Sequence, residues 1–378
     1  MSKAYLRQRL WLLALYAAGV VVATLQRGVW SRDHTTFSIF RQSFVHLAQH
    51  QNLYAAYPAE QGAAAVDLFK YSPSAAVLFA PLSLIPFSAA LLAWNLLNAG
   101  LFFFAITRIL PRARANLALL LLAPEVFVAI QSSSSNALVT ALLVLAALAF
   151  EKGRHLHGGV AVAVGTSIKL FPIAALVLAL LHREWRRTML AVAIVGLALL
   201  ALPLLVVSPS ELIRQYRWWG MIEGSDAKDL VFGLSLMREM RNWRDLAWPN
   251  WTLQLLGVLI FIMPLVLRRD RSRSEVFRLQ YLSSLLLFVV LFNHQAERQS
   301  FILAATGSVL WFVTGSRTLE RSVLLALALI GVPTVPYLVI WLIIHAELLR
   351  PGPSLTLEAP TAIPWLRRIS LGRQRQAS

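Results

Sequence analysis

The chain contains no cysteine. That excludes a disulfide framework, thiolate-bound metal and a cysteine nucleophile, and it leaves the compartment open. Charge is also scarce: Asp, Glu, Lys and Arg make up 14% of 378 residues, against about 25% in an ordinary soluble domain. Acidic residues are the rarer sign, 18 against 35 basic, for a formal net charge of +17. There is no HExxH, no Cys/His metal spacing, no Gly-rich phosphate loop and no GxSxG, so soluble-type nucleotide or hydrolase chemistry has no support. Nor does the basic excess indicate a nucleic-acid partner. No nucleic-acid motif or basic-aromatic module accompanies it.

Apolar residues are abundant, at 58%. They stand in continuous blocks of Leu, Ala and Val separated by short basic stretches, not interleaved at helical or strand period. The short alternating segments of a membrane β-barrel are missing. The composition predicts an all-α, polytopic integral membrane protein. The apolar runs are residues 10–25, 87–107, 115–130, 136–150, 158–181, 189–207, 251–267, 279–292, 301–313 and 323–344, with a shorter run at 74–85. A straight span needs about 20 apolar residues, so tilted, broken or half-length helices are expected, about 10–12 in all counting re-entrant ones. Residues 1–350 read as one transmembrane domain and 351–378 as a basic, flexible tail.

Lys3, Arg7 and Arg9 precede the first run, and only Gln26 and Arg27 follow it, with no small-x-small cleavage site. This reads as an uncleaved first helix with a cytoplasmic N-terminus, in a bacterial inner membrane. Three basic groups mark cytoplasmic loops: Arg183, Arg186 and Arg187; Arg268, Arg269, Arg271, Arg273 and Arg278; Arg317 and Arg321. They place two long polar loops, about residues 27–71 and 208–250, on the outer face, together with 293–299. Arg108, Arg112, Arg114, Lys152 and Arg154 resist simple alternation. Their placement is repaired if 74–85 and part of 158–181 are re-entrant, with a break near Pro172.

In the first outer loop Phe37, Phe40, Phe44 and Leu47 share one helical face, so an interfacial helix is expected, capped by Thr35 or Thr36. Ser208-Pro209-Ser210-Glu211 opens the second with a capping-box pattern and Pro at the first helical position. Lys169 is a cation within an apolar run, a candidate phosphate contact beside Thr166 and Ser167; a lysine snorkelling to the interface is the alternative. The uncharged strip Gln131-Ser132-Ser133-Ser134-Ser135-Asn136 suits sugar hydroxyls, or is a plain turn capped by Ser135 or Asn136. His294, one helical turn from Glu297, can donate to a phosphate or sit in a solvated turn. Asp33, His34, His46, Glu60, Asp67, Lys70 and Tyr71 supply the titratable groups of the first loop.

Taken in order, several motifs resemble glycosyltransferase family 87 of the GT-C superfamily. They are Phe37-Ser38-Ile39-Phe40, Asn52-Leu53-Tyr54, Lys70-Tyr71-Ser72-Pro73, Trp94-Asn95-Leu96-Leu97-Asn98, the Gln131 to Asn136 strip, Ile168-Lys169-Leu170-Phe171-Pro172, and Asn293-His294. The resemblance implies a GT-C-like fold and a polyprenyl-phosphate-linked sugar, mannose first among candidates, as donor to a lipid or glycan acceptor at the outer face. It also implies one inverting displacement with a carboxylate base. Family members carry an Asp immediately before the first Phe of the interfacial helix; here that residue is Thr36. Asp33 is the nearest carboxylate and the expected base, with His34 and His46 behind it. Lys169 and His294 are expected near the phosphate, and Gln131, Asn136, Lys70 and Tyr71 at the substrate. A lipid-phosphate donor does not oblige a metal, and no cofactor is expected. A lipid-linked-sugar flippase would share the spans and the buried lysine, and a non-catalytic scaffold would tolerate replacement of the polar residues.

Overall fold

The structure, a computed structural model, describes residues 3–30, 35–55, 68–226, 234–244, 248–330 and 334–350. Their regular structure is helical, with no strand among the described residues. Among the described residues five helices are long and apolar enough to cross a bilayer: Arg7–Trp30, Phe87–Ile109, Arg112–Gln131, Trp185–Leu205 and Asn250–Leu267. The chain is an all-α polytopic membrane protein. It divides into two compact units, the first of residues 1–109 and 123–231, the second of 110–122 and 232–378.

In the first unit α1 (Lys3–Leu25) runs into a π-turn, and α2 (Thr35–Ala48) is the expected amphipathic helix. Phe37, Phe40 and Leu47 are fully buried, joined by Ser43, while Phe44 turns partly outward. Thr35 and Thr36 are its first helical residues and not a preceding cap. The run 74–85 folds as two short helices, α3 (Pro73–Leu78) and α4 (Ala80–Ser83). Ser72 caps α3, its Oγ accepting from Ala75 N at 3.3 Å with Pro73 next in chain. Arg41 of α2 donates to the carbonyls of Leu82 and Ile85, so both short helices lie against α2 and neither crosses the unit. Next come α5 (Phe87–Ile109), α6 (Arg112–Gln131), of which only residues from 123 onward belong to this unit, and α7 (Asn136–Glu151).

The run 158–181 folds back on itself as a hairpin. α8 (His155–Ile168) stops at Lys169, whose backbone is extended (φ −141°, ψ 141°). A 3-10 turn, Phe171–Ala175, and one turn of α9 (Leu176–Ala179) then lead back. Pro172 lacks the N–H that helix continuation needs. The neck is closed by a reciprocal exchange: His155 Nε2 meets Glu184 at 2.9 Å, and His182 Nε2 lies 3.9 Å from Glu151. Both ends of the hairpin are therefore at one level. In sequence, Lys152 and Arg154 flank one end of the hairpin and Arg183, Arg186 and Arg187 the other, so both basic groups stand at the neck. α10 (Trp185–Ala201) follows, so close to α8 that a Cβ on Gly159 would lie 2.9 Å from that of Ala191. Small residues at such crossings let the backbones pack directly.

α11 (Pro209–Asp226) realises half of its capping box. Ser208 Oγ accepts from Glu211 N at 3.3 Å, but the Glu211 carboxylate turns instead to Arg214 and Gln215.

The second unit contains α12 (Leu236–Arg244), α13 (Asn250–Leu267), α14 (Glu275–Leu291), α15 (Phe301–Thr314), α16 (Leu319–Ile330) and α17 (Thr334–Leu349). The single run read at 323–344 is thus two helices. Gly331 and Pro333, which stand between them in sequence, are the breakers that the apolar count overlooked. The Arg268 and Arg271 guanidinium groups donate to the Leu349 and Arg350 carbonyls and cap α17. Glu347 is paired with Arg321 and accepts from Trp311 Nε1 at 3.0 Å and Gln280 Nε2 at 3.3 Å. A carboxylate this enclosed requires such partners.

Candidate active site

The quoted motifs of the first unit meet at its α2 end. Phe40 lies between Phe79 (4.8 Å, stacked), Tyr71 (4.9 Å, edge-on) and Trp94 (5.3 Å, edge-on), so one ring of α2 joins the Lys70-Tyr71-Ser72-Pro73 segment to α5. Edge-to-face and offset pairs at these distances each add about 0.5–1.5 kcal/mol beyond burial. Trp94 in turn donates its indole N–H to the Ser133 carbonyl at 2.8 Å. Asn98, one turn on, accepts from Leu138 N at 3.0 Å, which fixes the start of α7. These residues belong to the site's frame, and their signal was two amides, Asn95 and Asn98, in an otherwise apolar span.

The Gln131 to Asn136 strip is a helix stop. Ser134 N donates to Ala129 O (3.1 Å) and Ser133 N to Ile130 O (3.0 Å), with Ser133 left-handed at φ 50°. This is the bond pattern in which glycine ordinarily occupies the left-handed position. Ser135 precedes α7 but makes no side-chain cap bond. Gln131 and Ser132 stay partly exposed; Ser135 and Asn136 are wholly buried, and Ser135 Oγ and Asn136 Oδ1 have no protein partner. Gln131 is held from both sides, donating to Gln26 Oε1 at 2.7 Å and accepting at its carbonyl from Arg27 Nε at 3.1 Å. The strip thus offers Gln131 outward and keeps Asn136 inside.

Lys169, half-buried, stands at the hairpin tip. Two residues before it, the Ser167 carbonyl accepts from Ser72 Oγ (2.7 Å) and Ser72 N (3.4 Å). Exposed Lys70 precedes Ser72 by two residues, so both lysines are two residues from one shared contact. Tyr71, half-buried between them, has its carbonyl bonded by the Tyr54 hydroxyl at 3.0 Å. Two cations on adjoining segments, with an amide (Gln131) and a phenol at the same end, can bind a phosphate and sugar hydroxyls.

Asp33, His34, Glu60 and Asp67 lie outside the described residues. Thr36 is at the first turn of α2, and His46 is ten residues on, about 15 Å along the helix axis. Burial holds the His46 imidazole below its ordinary value, which favours its neutral form, and it stands far from the Thr36 position. His294 belongs to the second unit. It is half-exposed in a turn where Ala296 N donates to Asn293 O and Gln295 N to Asn293 Oδ1.

The sequence model of glycosyltransferase family 87 matches residues 69–293. The chain belongs to glycosyltransferase family 87. The matched span holds Lys70, Tyr71, Gln131, Asn136 and Lys169, and it ends one residue short of His294. It begins after α2, so Asp33 and Thr36 lie before the matched span. Family 87 membership makes the chain a membrane glycosyltransferase. No curated protein matches it.

Proposed function

We propose that this glycosyltransferase moves a hexose, mannose before glucose, from a polyprenyl-phosphate-sugar donor to a lipid or glycan acceptor, with inversion, at the outer face of a bacterial inner membrane. The N-terminus is then cytoplasmic. The observation that carries the reading is the contact of Ser72 with Ser167, which brings the Lys70 and Lys169 segments together at one end of the first unit. In the reaction a base takes the acceptor hydroxyl proton and the acceptor oxygen bonds to the anomeric carbon. The bond from that carbon to the phosphate oxygen breaks, and the lipid phosphate leaves with the electron pair. Lys70 and Lys169 stabilise the charge that accumulates on the leaving phosphate. Gln131 and Tyr71 contact sugar hydroxyls, with Asn136 behind the strip. Asp33 is the base, three residues before Thr36. His294, in the second unit, is a candidate hydrogen-bond donor to a phosphate on its sequence alone and is tested separately by His294→Ala.

The deciding experiment is transfer by purified, nanodisc-embedded protein, with polyprenyl-phosphate-mannose and -glucose offered in parallel against extracted envelope lipids. Sugar must leave the donor and appear, inverted, on an acceptor. Donor left intact in every combination, while vesicles containing the protein translocate it, would overturn the proposal in favour of a flippase.

A further inference from the structure

α11, from the second long loop, holds the first long loop at three places. Gln215 is fully buried; its Oε1 accepts from Leu53 N at 3.2 Å and its Nε2 donates to the Gln51 carbonyl at 2.8 Å. Glu211, one turn earlier and also buried, accepts from that same Nε2 at 2.8 Å and so fixes which way the amide faces. One turn later, Trp219 Nε1 donates to the Lys70 carbonyl at 3.2 Å. Beside them the Tyr216 hydroxyl lies 3.1 Å from Ser74 Oγ.

Residues 211, 215 and 219 form one stripe at a spacing of four. That stripe takes the chain at 51–53 and again at Lys70, on the two sides of residues 56–67. Tyr54, next to the held Leu53, carries the contact onward by donating to the Tyr71 carbonyl. Two of these contacts therefore reach Lys70 and Tyr71, the first directly and the second through Tyr54. A carboxylate and an amide buried on a helix are costly unless they are used, and here Gln215 makes two bonds to this loop while Glu211 holds its amide in place.

We propose that Gln215, oriented by Glu211, is a positioning residue for glycosyl transfer, setting the Lys70-Tyr71 segment at its working distance from substrate. This rests on the transferase reading above. It makes the second long loop a determinant of the rate although α11 itself contributes no group to the reaction.

The test uses the full-length protein in nanodiscs with polyprenyl-phosphate-mannose and -glucose, alongside hydrogen–deuterium exchange. Gln215→Met should speed exchange at Leu53 and in the Lys70-Tyr71 segment and lower kcat by about tenfold or more, with donor KM moved less than about twofold. Glu211→Gln keeps an acceptor facing Gln215 and should retain kcat within about threefold, whereas Glu211→Met should behave as Gln215→Met. If Gln215→Met does not insert, Trp219→Phe replaces a half-buried ring and should lower kcat in the same way. Wild-type kcat in Gln215→Met or Trp219→Phe, or slow exchange retained at Leu53, overturns the proposal. If the unaltered protein transfers from neither donor, the transferase reading fails alone. Exchange then still decides: faster at Leu53 and Lys70-Tyr71 upholds the positioning, unchanged overturns it.

Discussion

The indole N–H of Trp94 donates to the carbonyl of Ser133, and Ser133 is the residue that ends α6 in left-handed backbone. The tryptophan steadies a turn that a side chain makes costly. Trp94→Phe leaves that carbonyl buried without its donor, an expected loss of about 1–3 kcal/mol. Ser133→Gly relieves the left-handed strain and should gain about 1 kcal/mol. Thermal unfolding in detergent reads both, and a Ser133→Gly protein that melts earlier would contradict the account.

The hairpin neck makes a topological prediction. Because the chain has no native cysteine, single cysteines report cleanly. Gly153→Cys and Arg183→Cys should react with a membrane-impermeant maleimide from the same side, and Ser225→Cys from the other. Labelling of positions 153 and 183 from opposite sides would show that 155–182 crosses outright.

The neck should also respond to acid. The bond from His155, then the charge of Arg187, holds the Glu184 carboxyl below its ordinary value. A carboxyl depressed on folding contributes stability above its unfolded pKa and loses it as pH falls through the folded one. Between pH 5 and pH 3 the unaltered protein should therefore lose melting temperature faster than Glu184→Gln. Parallel slopes would remove the pair from the acid response.

At the hairpin tip, Lys169→Met should abolish most transfer, by about a hundredfold or more, while expression and insertion stay normal. Lys169→Arg should retain part of it, since the charge remains. Full activity in the methionine variant would reduce Lys169 to an interfacial anchor.

The base is tested at two positions. Asp33→Asn should lower turnover by about two orders of magnitude or more, with donor binding little changed. Adding Thr36→Asp should restore part of it, because the first turn of α2 favours a negative charge. An active Asp33→Asn protein would move the search to His34.

Much of this was legible from residue order. Apolar blocks marked nearly every helix, and of the two segments read as re-entrant, 74–85 folds as two short helices and 158–181 turns back on itself. Lys169 beside Pro172 marked the break. The α16–α17 boundary was missed because hydropathy stays high through Gly331 and Pro333. Gln215 was illegible for another reason: a glutamine on a polar helix carries no sign of burial, and its partners are backbone atoms more than 160 positions away. The strip from Gln131 to Asn136 was seen as polar, but polarity does not tell which members turn inward.

The hairpin also bears on biogenesis. α8 has 14 residues, about 21 Å of helix, against a hydrocarbon core about 30 Å thick. Neither it nor the short return through α9 can be released into lipid as a finished span, and Lys169 at the tip deepens the mismatch. The segment has to wait beside α7 until α10 has emerged, because Glu184 lies just before α10 and Gly159 needs Ala191 to pack against. Stable insertion of residues 155–182 is therefore expected to depend on α10. A chain truncated after residue 182 should leave this segment in water, where a quality-control protease can reach it.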